Sequence, residues 1–145
     1  QAGHDYLYGG VGNDTIAGGT DNDKLSGGAG ADTFQWNFAD RGTLANPARD
    51  VITDFDTANY ASGGDRLDLN DILSGTGATT AAVLDGYLDF SKQGRDTVIN
   101  VRPTGAGGEM TQQIVLQGVD LTSNGTLSDQ TIIQDLLTRG KLQTD

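Results

Sequence analysis

The sequence predicts a mainly β fold: a parallel β-roll over residues 1–35, capped by a β-rich C-terminal subdomain over residues 36–145 that ends in a short α-helix at about 129–139. Three observations predict it. A nonapeptide period runs through the first part of the chain, the period then gives way to alternating segments with larger apolar side chains, and the last segment is amphipathic with a helix cap at each end. At 145 residues the chain has room for a small repeat array and one compact companion.

Read in register, the repeats are QAGHDYLY, GGVGNDTIA, GGTDNDKLS and GGAGADTFQ. Asp5, Asp14, Asp23 and Asp32 fall at one step of the unit, and Leu7, Ile16, Leu25 and Phe34 follow two residues behind. Glycine at the start of each unit lets the backbone enter left-handed turn conformations that a Cβ would penalise. The three residues after each Asp, such as Thr15-Ile16-Ala17, form a short strand whose central side chain points inward. Two units make one coil, so units one and three stack on one side and units two and four on the other. A flexible Gly/Asp-rich linker would share this composition but would have no use for an apolar residue at every ninth step. His4 falls at a variable position and is read as an exposed imidazole.

Stacked strands lie about 4.8 Å apart, which brings Asp5 beside Asp23 and Asp14 beside Asp32. Two carboxylates about 4 Å apart repel by roughly 4 kcal/mol at an effective dielectric of about 20. A hard dication between them reverses the sign, and calcium takes about six to eight oxygens, main-chain carbonyls included. The composition agrees: the net charge is -11, and every acidic residue except Glu109 is the short Asp. This charge argues against nucleic acid or an anionic membrane surface as a partner. The chain has no Cys, so neither disulfides nor thiolate metal sites can staple it. It contains no apolar run long enough to span a membrane and no signal-like N-terminus, so no direct membrane insertion is expected and the start at Gln1 reads as a cut through a longer protein.

Past Gln35 the side chains grow larger, with Trp36, Phe38, Val51, Ile52 and Phe55. Alternation through Asp50 to Phe55 and Arg66 to Leu69 suggests two strands around a Gly-Gly turn. Further strands are expected at Tyr87 to Phe90, Asp96 to Val101 and Gln112 to Val119, with Gly105, Gly107 and Gly108 in the loop joining the last two. Such a sheet would close the open end of the roll, since an unpaired edge invites aggregation. In the terminal helix Ser128 is the N-cap, Leu127 and Ile132 are spaced for a hydrophobic staple, and Gly140 ends it. Ile132, Ile133, Leu136 and Leu137 form its apolar stripe.

The repeats match the pattern G-G-x-G-x-D-x-U-x and so resemble RTX β-rolls. In that family the second, fourth and sixth residues of one turn face the first, third and sixth of the turn one coil later. The resemblance implies one calcium site from Gln1, Gly3 and Asp5 with Gly18, Thr20 and Asp23, and another from Gly10, Gly12 and Asp14 with Gly27, Ala29 and Asp32. The Asp residues would give carboxylates and the rest main-chain carbonyls. Asp21 stands where the family has glycine, which leaves its carbonyl available but questions the local turn. Two half-sites, Gly19, Asp21 and Asp23, and Gly28, Gly30 and Asp32, need partners beyond Gln35, for which Asp40, Asp50 and Asp54 are the candidates.

Residues 36–145 resemble the C-terminal target domain of type I secretion substrates found on large RTX adhesins of Gram-negative bacteria, through ADTFQWNFADRGT, DVITDFD, GGDRLDL, IVLQGVDL and SDQTIIQDLLTRGKLQTD. The resemblance implies a monomeric module of an extracellular or cell-surface protein with a role in adhesion and biofilm. It further implies an uncleaved export signal read by an ABC transporter, a membrane fusion protein and an outer-membrane channel. The DF segment also resembles the tails of secreted metalloproteases and lipases, whose catalytic domains would lie upstream. An enzyme is not expected in this segment: it holds no H-E-x-x-H, no G-x-S-x-G and a single His. A sugar-binding role would call for regularly spaced exposed aromatics, and none is evident in the sequence.

Overall fold

The computed structural model describes residues 2–74, 76–105 and 107–144. In chain order the repeats form β1 (Tyr6–Val11), β2 (Thr15–Ile16), β3 (Lys24–Ala29) and β4 (Thr33–Gln35). The remainder forms β5 (Ala48–Ile52), β6 (Arg66–Asp68), α1 (Ala81–Leu84), β7 (Leu88–Gln93), β8 (Asp96–Val101), β9 (Gln112–Leu116), α2 (Asp129–Thr138) and β10 (Leu142–Gln143). A six-stranded sheet runs in the order β1-β3-β5-β9-β8-β7, and a four-stranded sheet in the order β10-β6-β4-β2. Every pairing is parallel except β7 with β8 and β8 with β9.

The stacking follows the period. Leu7 lies opposite Leu25 and Ile16 opposite Phe34, so units one and three share one sheet and units two and four the other. The ladders do not stop where the nonapeptides stop. Leu25 is followed by Ile52 and then Leu116 in the first sheet, and Phe34 by Leu67 and then Leu142 in the second. Residue 35 therefore marks the end of the sequence period, while the parallel roll gains two more rungs from the segment beyond it. The two apolar columns meet between the sheets: Leu25, Ile52, Leu116, Phe34 and Leu67 are fully buried. At roughly 1.5–3 kcal/mol for each large apolar side chain taken out of water, these columns are the main adhesive of the roll.

The segments Asp50 to Phe55 and Arg66 to Leu69 contain β5 and β6, but the two strands do not pair around Gly63-Gly64 as expected. They lie in opposite sheets, because each continues a different column of the roll. Beyond them β7 and β8 form a hairpin through Gly94, whose positive φ of 64° suits a tight turn, and β8 pairs antiparallel with β9. Gly105 and Gly107 lie in the β8–β9 loop.

The terminal helix α2 starts where the Ser128 side chain accepts the Thr131 N–H and stops at Gly140, which has a φ of 69°. Ile132, Ile133 and Leu136 are buried and Leu137 is partly buried against the core. Leu127, the residue before the cap, is 43% exposed. Among the described residues no helix is long and apolar enough to cross a membrane.

Candidate metal centre

The turns between rungs are built from residues that can take left-handed backbone. Gly10, Gly19 and Gly28 have φ near 100°, as do Gly3 and Gly12 two steps into their own turns. Asp21 takes up the same left-handed conformation at φ 79°, and its Oδ2 accepts the Gly3 N–H at 3.0 Å from the neighbouring coil. The departure from glycine is thus compensated by a bond that glycine could not make, as short polar side chains permit.

The aspartates form two columns. Asp5, Asp23 and Asp50 stack on one edge of the roll, and Asp14, Asp32 and Asp65 on the other. In each column one carboxylate oxygen accepts a backbone N–H from the aspartate of the preceding coil: Asp5 to Asp23 at 2.8 Å, Asp23 to Asp50 at 2.8 Å, Asp14 to Asp32 at 2.9 Å and Asp32 to Asp65 at 3.0 Å. That oxygen belongs to the fold. The second oxygen of Asp5, Asp14, Asp23 and Asp32 is buried and receives no hydrogen bond. A buried carboxylate oxygen without a donor costs free energy on the order of 1–3 kcal/mol or more, so four of them in register call for a cation.

The first glycine of each turn makes room for that oxygen. A Cβ on Gly18 would run into Asp23 Oδ2 and one on Gly27 into Asp32 Oδ2, while on Gly9 it would lie 2.9 Å from Asp14 Oδ2 and 2.7 Å from the Gly27 carbonyl oxygen. Asp14 and Gly27, assigned to one site from the repeat pattern, therefore direct their oxygens at the same space. The carbonyls of Gly10 and Gly12 point at Gly28 and Gly30 of the next coil, where a Cβ would strike them. Ala29, placed in the same site, also accepts the Gly12 N–H through its carbonyl at 2.8 Å. On the opposite edge Thr20 bridges to Ala2, alongside Asp5, Gly18 and Asp23. Gln1 lies outside the described residues.

Among the described residues no three acidic or histidine side chains gather at one point. The candidate sites instead combine one or two carboxylates with main-chain carbonyls. That all-oxygen donor set fits calcium, and does not fit a soft metal.

The three candidates for completing the half-sites have other partners. Asp50 does lie in the column, 1% exposed, but its Oδ2 already accepts the Trp36 indole N–H at 2.7 Å and the Gln112 amide at 3.0 Å. Burial pushes its carboxyl up to about 6, against the opposing pull of the Trp36 hydrogen bond. Asp54 accepts the Ser26 hydroxyl at 2.6 Å and the Gly27 and Gly28 N–H groups at 2.9 Å, so it sits on the donor side of the turn instead of beside its carbonyls. Asp40 lies in a short 3-10 turn, Phe38–Asp40, and bonds Asn37. All three carboxylates thus accept hydrogen bonds from within the fold, Asp50 and Asp54 several each and Asp40 one.

The residue that sequence reasoning passed over is Asp65. It is 2% exposed, accepts the Asp32 and Asp56 N–H groups on its two oxygens, and is held above the usual carboxylate range by burial. Its signal was the triplet Asp65-Arg66-Leu67, which repeats the Asp-x-apolar step of Asp14-Thr15-Ile16, with the Gly63-Gly64 pair directly before the Asp instead of four and five residues before it.

Residues 1–34 match the family model described as RTX calcium-binding nonapeptide repeat (4 copies). Among solved structures, the AlgE6R3 subunit from the Azotobacter vinelandii mannuronan C5-epimerase is 32% identical over 85% of this chain, with a TM-score of 0.56. This chain spans 64% of that one, less than two thirds of its length. The AlgE6R2 subunit of the same epimerase is 22% identical, covers 97% of this chain and 88% of its own, and has a TM-score of 0.57, a likeness of fold alone. The C-terminal domain (RV) of MpAFP is 31% identical over 84% of this chain and 83% of its own, at a TM-score of 0.48. No curated protein matches the chain in sequence.

Proposed function

Because this chain is an RTX repeat domain, a calcium-binding β-roll, we propose that it serves as the calcium-folded, non-catalytic C-terminal module of a type I-secreted extracellular adhesin. The observation that supports the calcium part is the set of four buried Asp oxygens without donors, with the Gly27 carbonyl directed at the same space as that of Asp14. Gly3, Asp5, Gly18, Thr20 and Asp23 would hold one ion, and Gly10, Gly12, Asp14, Gly27, Ala29 and Asp32 another. Calcium would supply the positive charge that offsets the two columns.

The consequence is a fold coupled to the compartment. Where calcium is scarce the carboxylates repel and the roll stays open, which suits export of an unfolded chain, C-terminus first. Where it is plentiful, binding to the folded form alone stabilises each site by about 2.7 kcal/mol at roughly a hundredfold excess over Kd. Folding outside the cell then prevents backsliding through the ABC transporter, membrane fusion protein and outer-membrane channel. The amphipathic segment ending in α2 is the candidate export signal.

A calcium titration followed by far-UV circular dichroism, with and without chelator, tests the folding part. A strand signal that ignores calcium would end it. Deleting Ser128 to Asp145 should abolish export while leaving calcium-induced structure in the roll, and export that survives the deletion would refute the signal assignment.

A second reading makes the module the tail of a secreted enzyme, a metalloprotease, a lipase or another catalyst. It is favoured by the 32% identity to a subunit of an epimerase. The parent sequence before Gln1 separates the two: tandem immunoglobulin-like repeats favour the adhesin, and a catalytic motif favours the enzyme.

A further inference from the structure

The second Asp column ends on a cation that the chain itself provides. Lys141 is fully buried, and its Nζ donates to the carbonyls of Asp56, Ala58 and Asp65, each at 2.6 Å. An ammonium has three N–H donors, so all are satisfied by main-chain oxygens. The Phe55 ring lies 4.7 Å away and closes the remaining side. Burial lowers this lysine to about 8, which leaves it protonated at neutral pH.

The position is set by the roll. Leu142 pairs with Leu67 as Leu67 pairs with Phe34, so Lys141 belongs to the rung after Asp65. At the step where another Asp would fall, two residues before Leu142, the chain has Gly140. The turn also shares the construction of the turns before it: a Cβ on Gly64 would strike the Ala58 carbonyl, as one on Gly28 would strike that of Gly10.

We infer that the carbonyl cage of Asp56, Ala58 and Asp65 is a cation site of the same kind as the calcium turns, filled by the Lys141 ammonium in place of a metal. The last rung of this column is therefore charge-satisfied without calcium. It holds β10 against β6 in either compartment and gives the metal-dependent coils a folded edge on which to stack. The inference rests on the calcium reading of the turns.

Hydrogen exchange on the whole chain, with chelator and with calcium, tests it. Leu67 and Leu69 donate their N–H groups to the carbonyls of Lys141 and Gln143 and report on the cage. In chelator the wild-type protein should protect both amides while those of β1 to β4 exchange rapidly. Lys141→Met, which keeps the aliphatic stem and removes the charge, should lose that protection in chelator. It should regain about a hundredfold at calcium roughly a hundredfold above Kd. Unchanged protection in the variant, or no recovery with calcium, would overturn the inference, as would wild-type Leu67 and Leu69 exchanging as fast as the repeats in chelator. If wild-type β1 to β4 ignore calcium while Leu67 and Leu69 stay protected, the proposed function fails and takes with it the likeness of the cage to the calcium turns, whereas rapid exchange at Leu67 and Leu69 alone overturns the inference and leaves the proposed function.

Discussion

Replacing Asp32 with Asn should change stability in opposite directions with and without calcium. Asp32 is fully buried; one oxygen accepts the Asp14 N–H at 2.9 Å, and the other has no donor. Asn keeps the accepting oxygen and sets an amide where the orphaned oxygen was, among the carbonyls of the turn. In chelator this removes an uncompensated buried charge, so the roll should gain on the order of 1–3 kcal/mol. In calcium the same change removes a charged ligand and forfeits most of the roughly 2.7 kcal/mol that a site contributes at a hundredfold excess over Kd. The swing between conditions is about 4–6 kcal/mol, the sum of those two terms. Urea unfolding followed by far-UV circular dichroism and by the fluorescence of Trp36, the only tryptophan, measures it in both conditions. A shift of the same sign in both would refute the reasoning, since a merely structural Asp32 has no cause to reverse.

Three further outcomes are expected. Gly27→Ala drives a methyl group into the Asp32 carboxylate and should weaken calcium binding by calorimetry and cost about 1–3 kcal/mol, whereas Gly9→Ala, with more distant neighbours, should cost less. Trp36→Phe leaves Asp50 Oδ2 with the Gln112 amide alone and should lower thermal stability by about 1–3 kcal/mol, seen by circular dichroism, with Gln112→Leu adding to the loss. Asp50, raised to about 6 from an ordinary 3.8, binds its proton more tightly in the folded state, so its contribution is fully present below about pH 3.8 and lost as pH rises through 6. In chelator the unfolding free energy from urea titration should therefore fall between pH 4 and pH 7 by up to about 3 kcal/mol from this group, and Asp50→Asn should flatten that slope.

The repeats were legible because their geometry is local. Each aspartate in residues 1–35 meets its partner at a sequence separation of 18, two nonapeptides, so Asp5 to Asp23 and Asp14 to Asp32 followed from counting alone. The pairing of Leu7 with Leu25 and Ile16 with Phe34 followed in the same way. The strands of the second part could be recognised by alternation, and the ends of α2 by Ser128 and Gly140. Their sheet membership could not, since β5 and β6, neighbours in sequence around Gly63-Gly64, belong to opposite sheets.

The coil, the composition of its turns and the need for a hard cation are written in the order of residues, because a fixed period makes stacking a property of spacing. How the columns end is set by the packed chain. Asp50 follows Asp23 at a separation of 27, and Asp65 follows Asp32 at 33, so the connecting loops no longer count out a coil. Which aspartate lands on the next rung then depends on how Ile52 and Leu67 pack between the sheets. Whether its oxygens stay free depends on which distant donors arrive beside them. Trp36 reaches Asp50 from the end of β4, and Gln112 reaches Asp50 and Lys141 the carbonyls of Asp56, Ala58 and Asp65 because β9 and β10 add the final rungs.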